Sequence, residues 1–400
     1  MVSPDTAVPR LPWDAADPFP SYERLRRGGE VVWDDTAQAW LILGYHAAQQ
    51  VLSGPGWTHD LLASPNARAV RNSISPELFT QSMLLNDGAP HQRLRGAARD
   101  VFTPAFITGL SVGVEAIAEA VINRLRTGKV FDFVSEVAIP VPLAVIGEWL
   151  GVDAVTSSLI REMAPAVISM LLPLARAEEV AAATTASVTL VAHFLPLAAG
   201  RREDPGEDLL SFIASDPELR LEEAVTTAVD IAIAGFETIS SLLGAAVARL
   251  LTPASDGTRP VDTLDVSDPS LVTELLRLDG PAQAVPRTAT EPQRIGAIEV
   301  AAGQQVIVVL AAANRDPAVF DEPDRLRLGR RAPAPLTFGH GPHHCLGAAL
   351  ARLEVEVALR RLLARDPVLA GPVTWRDSPG LRGAVHLPMT FRAPPVDPDE

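Results

Sequence analysis

One cysteine, Cys345, among 400 residues rules out an intramolecular disulfide, so the thiol is buried, reactive or a metal ligand in a reducing compartment. Lysine is as scarce: Lys129 stands by itself, and arginine carries almost all the positive charge, a bias that reflects a high-GC bacterial genome rather than function. Positive charge is itself in deficit. A net charge of −15 argues against phosphate neutralisation on nucleic acid and against docking on anionic lipid, both of which need a basic surface. The start, MVSPDTAVPRLPWDAADPFP, has no basic segment followed by an apolar one, so no signal peptide is expected. Long hydrophobic runs are missing too. The most apolar stretches, near 160–200 and 224–250, are interrupted by Arg161, Glu162, Arg176, Glu178, Asp230, Glu237 and prolines, which a lipid-facing span tolerates at high cost. No repeat of fixed period, low-complexity tract or glycine-rich phosphate loop occurs. The expectation is a soluble, cytoplasmic globular protein without a membrane anchor or nucleic-acid partner. With 47% hydrophobic residues it can bury roughly three quarters of its unfolded surface.

What is present reads mostly as helix. Short helices are expected at 20–29 and 45–54, bracketing a hairpin over 30–45, EVVWDDTAQAWLILGY, whose apolar runs flank a polar turn. Periodicity fails between Trp57 and Asp87, which predicts a long irregular loop of the kind that is usually functional. Helical patterns resume at 90–101, 109–127, 132–150, 157–175, 177–199 and 207–215. The longest covers 221–251, roughly 45 Å at 1.5 Å per residue, enough to cross a whole domain as its central helix. A Pro/Asp/Gly/Ser linker at 252–270 leads to a short helix LVTELLRL, strand-like RIGAIEV and QQVIVVLAAA, and a helix from Cys345 to about Ala364, stopped by Asp366-Pro367.

Three stretches carry chemistry. In FGHGPHHCLGAALARLE (338–354), Gly339, Gly341 and Gly347 allow a close approach that side chains would block, so a flat or bulky partner could lie on the loop. Cys345 at a helix start would have its thiol pKa lowered by free N–H groups, which makes a soft anionic metal ligand. It could equally serve as a small hydrophobe. A zinc site from His340, His343, His344 and Cys345 is disfavoured, because adjacent residues rarely reach one tetrahedral centre, and no partner for an acyl-transfer cysteine is evident. In the long helix, AGFET (234–238) sets Glu237 and Thr238 in an apolar stretch where a carboxylate is costly unless hydrated, paired or catalytic. The Thr238 hydroxyl could bond the Ala234 carbonyl one turn back while Gly235 removes bulk, opening a small polar groove; a solvated acid and a local back-bond are the plainer alternative. Glu274 and Arg277 in ELLR form an i, i+3 pair that by itself is usually a surface contact.

The loop F-x-x-G-x-H-x-C-x-G, the helix A-G-x-[DE]-T and the E-x-x-R pair together resemble the cytochrome P-450 superfamily, and the resemblance runs from DPFPSYERLR through AANRDP to LRGAVHLPMTFR. It implies a mainly α fold with small β-sheets, a triangular helical prism whose long central helix lies over haem. One domain would span 1–400, with a β-containing lobe near 20–60 and 285–310 and a helical lobe near 90–280 and 345–365. Cys345 would be the axial thiolate of haem b, with the N–H groups of Leu346 and Gly347 on its sulfur and Phe338 shielding it. His340, His343, His91, Arg95 and Arg287 would meet the propionates, whose carboxylates suit cationic forks. Ala234 and Gly235 would line the oxygen groove, Thr238 would stabilise reduced oxygen, and Glu237 would relay protons. Glu274, Arg277 and Arg325 would form a structural network. Leu84, Leu85, Ile168, Met170, Leu171, Leu172, Ile233, Phe236 and Val285 would line an aliphatic substrate pocket.

The implied activity is monooxygenation of an apolar molecule such as a terpenoid, fatty acyl chain, steroid or polyketide. A haem-thiolate sensor or ligand-binding protein without O₂ activation, and a peroxide-driven peroxygenase, are the alternatives. Because 400 residues leave no room for a fused reductase, electrons from NAD(P)H are expected through a ferredoxin reductase and a ferredoxin. These would dock on a monomer at the cysteine side, where Arg93 and Arg352 could form a local basic patch. Three departures stand out: Phe236 and Ile239 flank the acid–alcohol pair where polar residues are common, Leu326 replaces an aromatic, and 252–270 lacks a helical pattern.

Overall fold

Leu221–Leu251 forms one uninterrupted helix, with the bounds its periodicity predicts. Alanine and leucine favour the helix, and Glu223 reaches back to accept the Arg220 backbone N–H at 2.9 Å, satisfying a donor that the first turn leaves free. In this computed structural model, which describes residues 14, 16–60, 63, 81–171, 176–378 and 380–392, the long helix is the axis of the largest apolar core. Helices Pro140–Leu150, Ala154–Leu171, Ala177–Glu203 and Ala348–Leu363 pack on it. By length and composition Leu221–Leu251 and Glu178–Glu203 could each cross a membrane, but the first is enclosed by protein, as a core helix is.

A five-stranded sheet stands beside this bundle, in the spatial order Val31–Asp34, Ala39–Ile42, Gln305–Val308, Val285–Ala289 and Trp57–Thr58. The expected hairpin is there, with Trp33 opposite Trp40 and their rings 5.3 Å apart. RIGAIEV closes a second small hairpin, Gln293–Ile295 on Ile298–Val300.

Elsewhere tertiary demands redraw the boundaries. The 109–127 pattern shortens to Ser111–Ile122, and a separate helix Pro104–Gly109, which Thr103 caps by accepting the Phe106 N–H, precedes it. The 132–150 pattern becomes a short strand, a π turn over Val134–Ala138 and a helix that opens on Pro140, which has no N–H to leave unpaired. One helical turn, Pro260–Thr263, occupies the connection that looked irregular. The helix after the cysteine begins at Ala348 rather than Cys345.

Arg93 ties the helix Gly88–Arg99 to the base of the long helix through paired bonds to Glu223, at 2.7 and 3.0 Å. Arg352 is also engaged, on the Thr273 hydroxyl and over the Phe338 ring. The Arg93 hydrogen bonds, with Arg220 adding to them, hold the Glu223 carboxyl down at about 2 against the effect of burial. A depressed carboxylate stabilises fully above its unfolded value of 4.5 and loses that contribution as pH falls towards 2. Thermal melts from pH 5 to 2.5 should therefore show a shallower acid decline in Arg93→Ala than in the wild type; equal slopes would contradict it.

Candidate active site

The cysteine loop is set by close packing. Gly341 has φ +75°, and a Cβ there would lie 2.7 Å from the Ser53 Cα on helix Tyr45–Ser53, so glycine is required. The Cys345 N–H donates to the Phe338 carbonyl at 2.7 Å and the Gly347 N–H points at the sulfur; Leu346 makes no such bond. Burial pushes the thiol pKa up, with Gly347 and Arg95 opposing, so the expected helix-start depression is overridden three residues short of the helix. Cys345 is nonetheless solvent-accessible. A side chain set deep among protein atoms yet with free surface faces an internal cleft. Such a thiol becomes a thiolate when a metal cation replaces its proton.

The long helix offers a matching face. In its otherwise buried middle, Asp230, Ala234, Gly235 and Thr238 keep free surface, and 230, 234 and 238 fall on one side at successive turns. The Thr238 hydroxyl donates to the Ala234 carbonyl at 2.7 Å, as the spacing predicts. Glu237 leaves the helix about 100° away and is buried in an ion pair with Arg376, beside strand Thr374–Trp375. The acid is thus both paired and buried.

A polar bay holding two arginines and a histidine column lies near the cysteine loop. The His343 ring stacks between His59 and His91, with centroids 3.4 and 4.0 Å away. His59 and His343 both meet Asp87 Oδ1, at 3.0 and 2.9 Å. Burial lowers His59 to about 3 and His91 to about 4. Hydrogen bonds from His343 and His59 hold Asp87 well below the carboxylate range although burial opposes them. Arg287 is 6% exposed, lowered to about 10 by burial, and among the described residues has no ion-pair partner. Arg95 donates to the His344 carbonyl at 2.7 Å. A buried guanidinium without a carboxylate, next to a stacked histidine column and an accessible thiol, fits a flat metal macrocycle bearing carboxylates.

The four-residue zinc set is not assembled. His343 turns to Asp87, His340 is exposed and joins none of these contacts, and the one group among the described residues that could hold a metal ion, His59, Asp87 and His343, omits Cys345. His340 has free surface, as Cys345 does, and makes no contact with the histidine column. His344 is exposed, as anticipated.

The Glu–Arg–Arg network is corrected in its third member. Glu274 and Arg277 pair at 2.7 and 2.8 Å with Arg277 1% exposed in its side chain, and Arg330, not Arg325, supplies the second guanidinium, at 3.1 Å from Glu274 Oε1. Arg325 has a side chain 74% exposed and pairs with Glu322; only its backbone carbonyl serves the network. The turn after Pro323 carries Arg325 outward and brings Arg330 back under the helix Leu271–Asp279.

An apolar cavity of about 50 Å³ runs up from Ala234, and Leu84, Leu85, Ile168, Leu171 and Ile233 are among the residues that line it. Phe236, 1% exposed, packs in the core, and Val285 packs against the five-stranded sheet's core; neither lines the cavity. The side chain of Met170, all of Leu172 and most of the 57–87 loop lie outside the described residues. Sequence reasoning missed His59, Asp87, Asp230, Arg330 and Arg376 as site residues. Asp87 and Asp230 had a signal, as a carboxylate at a helix start and one within an apolar helix, whereas His59 and Arg376 sit in stretches with no pattern.

A family model described as Cytochrome P450 matches residues 269–368. The chain is 32% identical to cytochrome P450 monooxygenase PikC of Streptomyces venezuelae, covering 94% of this chain and 92% of the relative. It is 33% identical to 6-deoxyerythronolide B hydroxylase of Saccharopolyspora erythraea, covering 96% and 99%. The fold superposes with a TM-score of 0.86 on P450BioI, solved in complex with an acyl carrier protein ligated to hexadec-9Z-enoic acid, at 28% identity over 94% of this chain and 99% of that one.

Proposed function

From its membership of the cytochrome P450 family, which makes it an oxygen-incorporating oxidoreductase, we propose that this chain hydroxylates or epoxidises an apolar small molecule. Electrons pass from NAD(P)H through a ferredoxin reductase and a ferredoxin to a haem b held by Cys345 in a cytoplasmic monomer. The observation that carries the reading is Ala234, which lies both on the open face with Thr238 and in the wall of the aliphatic cavity. A substrate in that cavity therefore ends one turn from Thr238. One relative is named for hydroxylation of 6-deoxyerythronolide B, and a structural neighbour holds a sixteen-carbon acyl chain, which supports an apolar polyketide-like or fatty acyl substrate.

Haem, when bound, supplies dioxygen activation towards C–H and C=C bonds. The chain's own residues bind, dry and protonate. Arg287, Arg95, His91 and His343 hold the carboxylates. Aliphatic side chains exclude water from the cavity. Thr238 keeps a hydroxyl proton at Oγ1 on the cleft side, and Glu237, hydrogen-bonded to Arg376, exchanges protons from the other side of the helix. Thr238→Ala should retain haem while cutting product formed per NAD(P)H by about tenfold or more, with the electrons released as hydrogen peroxide. Unchanged coupling in an oxygen-electrode assay would remove Thr238 from this role.

The reading is tested by reconstitution with a ferredoxin and its reductase under ¹⁸O₂ against an apolar compound library. One labelled oxygen in product is expected. A haem-loaded protein that consumes no NAD(P)H with any pair favours the sensor alternative, and turnover on hydrogen peroxide without ferredoxin favours the peroxygenase.

A further inference from the structure

The apolar cavity contains one feature that its aliphatic lining does not need. Asp230 projects from the long helix into a wall that, among the described residues, holds no lysine, arginine or histidine. Its Oδ2 accepts the Ser82 hydroxyl at 2.7 Å, and the Met83 backbone N–H adds a second bond. These donors orient the carboxyl, yet Asp230 keeps free surface, as Cys345 does, so acceptor capacity remains towards the cavity. Of the other hydroxyls in this wall, Thr184 and Thr226 donate to the carbonyls of Val180 and Glu222 one turn back, and Ser187 offers a neutral hydroxyl where Asp230 offers a carboxyl. Burial raises the Asp230 carboxyl to about 7, so the group lacks a countercharge. A buried acceptor costs stability unless something uses it.

We propose that Asp230, oriented by Ser82, is the polar anchor of the substrate cavity and selects an apolar molecule bearing a hydrogen-bond donor, a hydroxyl or a protonated amine. The proposal rests on the monooxygenase reading and narrows its substrate class. Asp230 lies one turn from Ala234 and two from Thr238, so a donor held there fixes which stretch of an otherwise featureless carbon frame reaches the reacting end. It acts by positioning.

The test uses haem-loaded wild type, Asp230→Asn and Asp230→Leu, titrated by calorimetry with 1-decanol, decyl methyl ether and N,N-dimethyldecylamine, which share one chain. The wild type should bind the alcohol and the amine roughly tenfold tighter than the ether. Asp230→Leu should level the three without weakening the ether. Asp230→Asn, whose amide carbonyl still accepts, should keep the alcohol's advantage and lose the amine's. Equal affinities in the wild type, no uptake of any probe, or a preference that survives in Asp230→Leu overturns the proposal; if that variant does not fold, retention of the amine's advantage in Asp230→Asn does so. The reduced-CO spectrum of the same preparations separates the failures: haem present without preference sinks the anchor alone, whereas absent haem sinks the monooxygenase reading.

Discussion

Cys345→Ser should give a protein without the red-shifted Soret band that marks thiolate ligation in the reduced CO complex, and turnover should fall to background. Serine is close to isosteric, so the loop, which is held by Gly341 against Ser53 and by the Cys345 N–H on the Phe338 carbonyl, should keep its shape. What changes is the donor: a hard oxygen that stays protonated replaces a soft sulfur that gives up its proton to a metal. The loss should exceed the roughly 10–100-fold typical of removing a group that merely supports a ligand. Far-UV circular dichroism on the same sample checks that the fold survives. A pigment kept with the same spectrum in the serine variant would overturn the assignment of Cys345, and the site with it.

Glu274→Ala should be the most destabilising substitution at the base of the cleft. Its carboxylate neutralises two enclosed guanidiniums, Arg277 and Arg330, and accepts the Arg327 backbone N–H at 3.1 Å. Burial pushes the Glu274 pKa up, but the Arg277 bonds, the Arg327 N–H and the charge of Arg330 hold it below the usual range. Removing one partner from a buried ion pair costs about 3–5 kcal/mol, because the desolvated partner charge remains. For a chain of this length that corresponds to roughly 4–6 °C in melting temperature. Arg330→Ala should cost less, since Arg277 still neutralises Glu274. Arg325→Ala should leave the melting temperature unchanged, because its side chain spans only solvent and Glu322. A melting curve in which Arg325→Ala resembles Glu274→Ala would restore the assignment that linear order suggested.

That contrast marks how far the sequence was legible. Local rules carried the long helix, the Trp33–Trp40 hairpin, the Thr238 back-bond and the loop around Cys345, because each depends on periods, turns and spacings that neighbouring residues settle. Helix ends were less legible: the Cys345 helix starts at Ala348 because the preceding loop must first turn the thiol into a cleft. Partners distant in the chain were not legible at all. Whether Arg325 or Arg330 faces Glu274 depends on the path of an irregular turn, and that Arg376 meets Glu237 depends on a sheet 139 residues away. The sequence by itself determined the mainly helical class and the one thiol available as ligand, since those follow from composition and short-range pattern. Only the tertiary structure decided which charges are enclosed, because burial, not identity, makes Glu274 a keystone, leaves Arg287 without an ion-pair partner among the described residues and turns Asp230 from a helix interruption into a feature of the cavity.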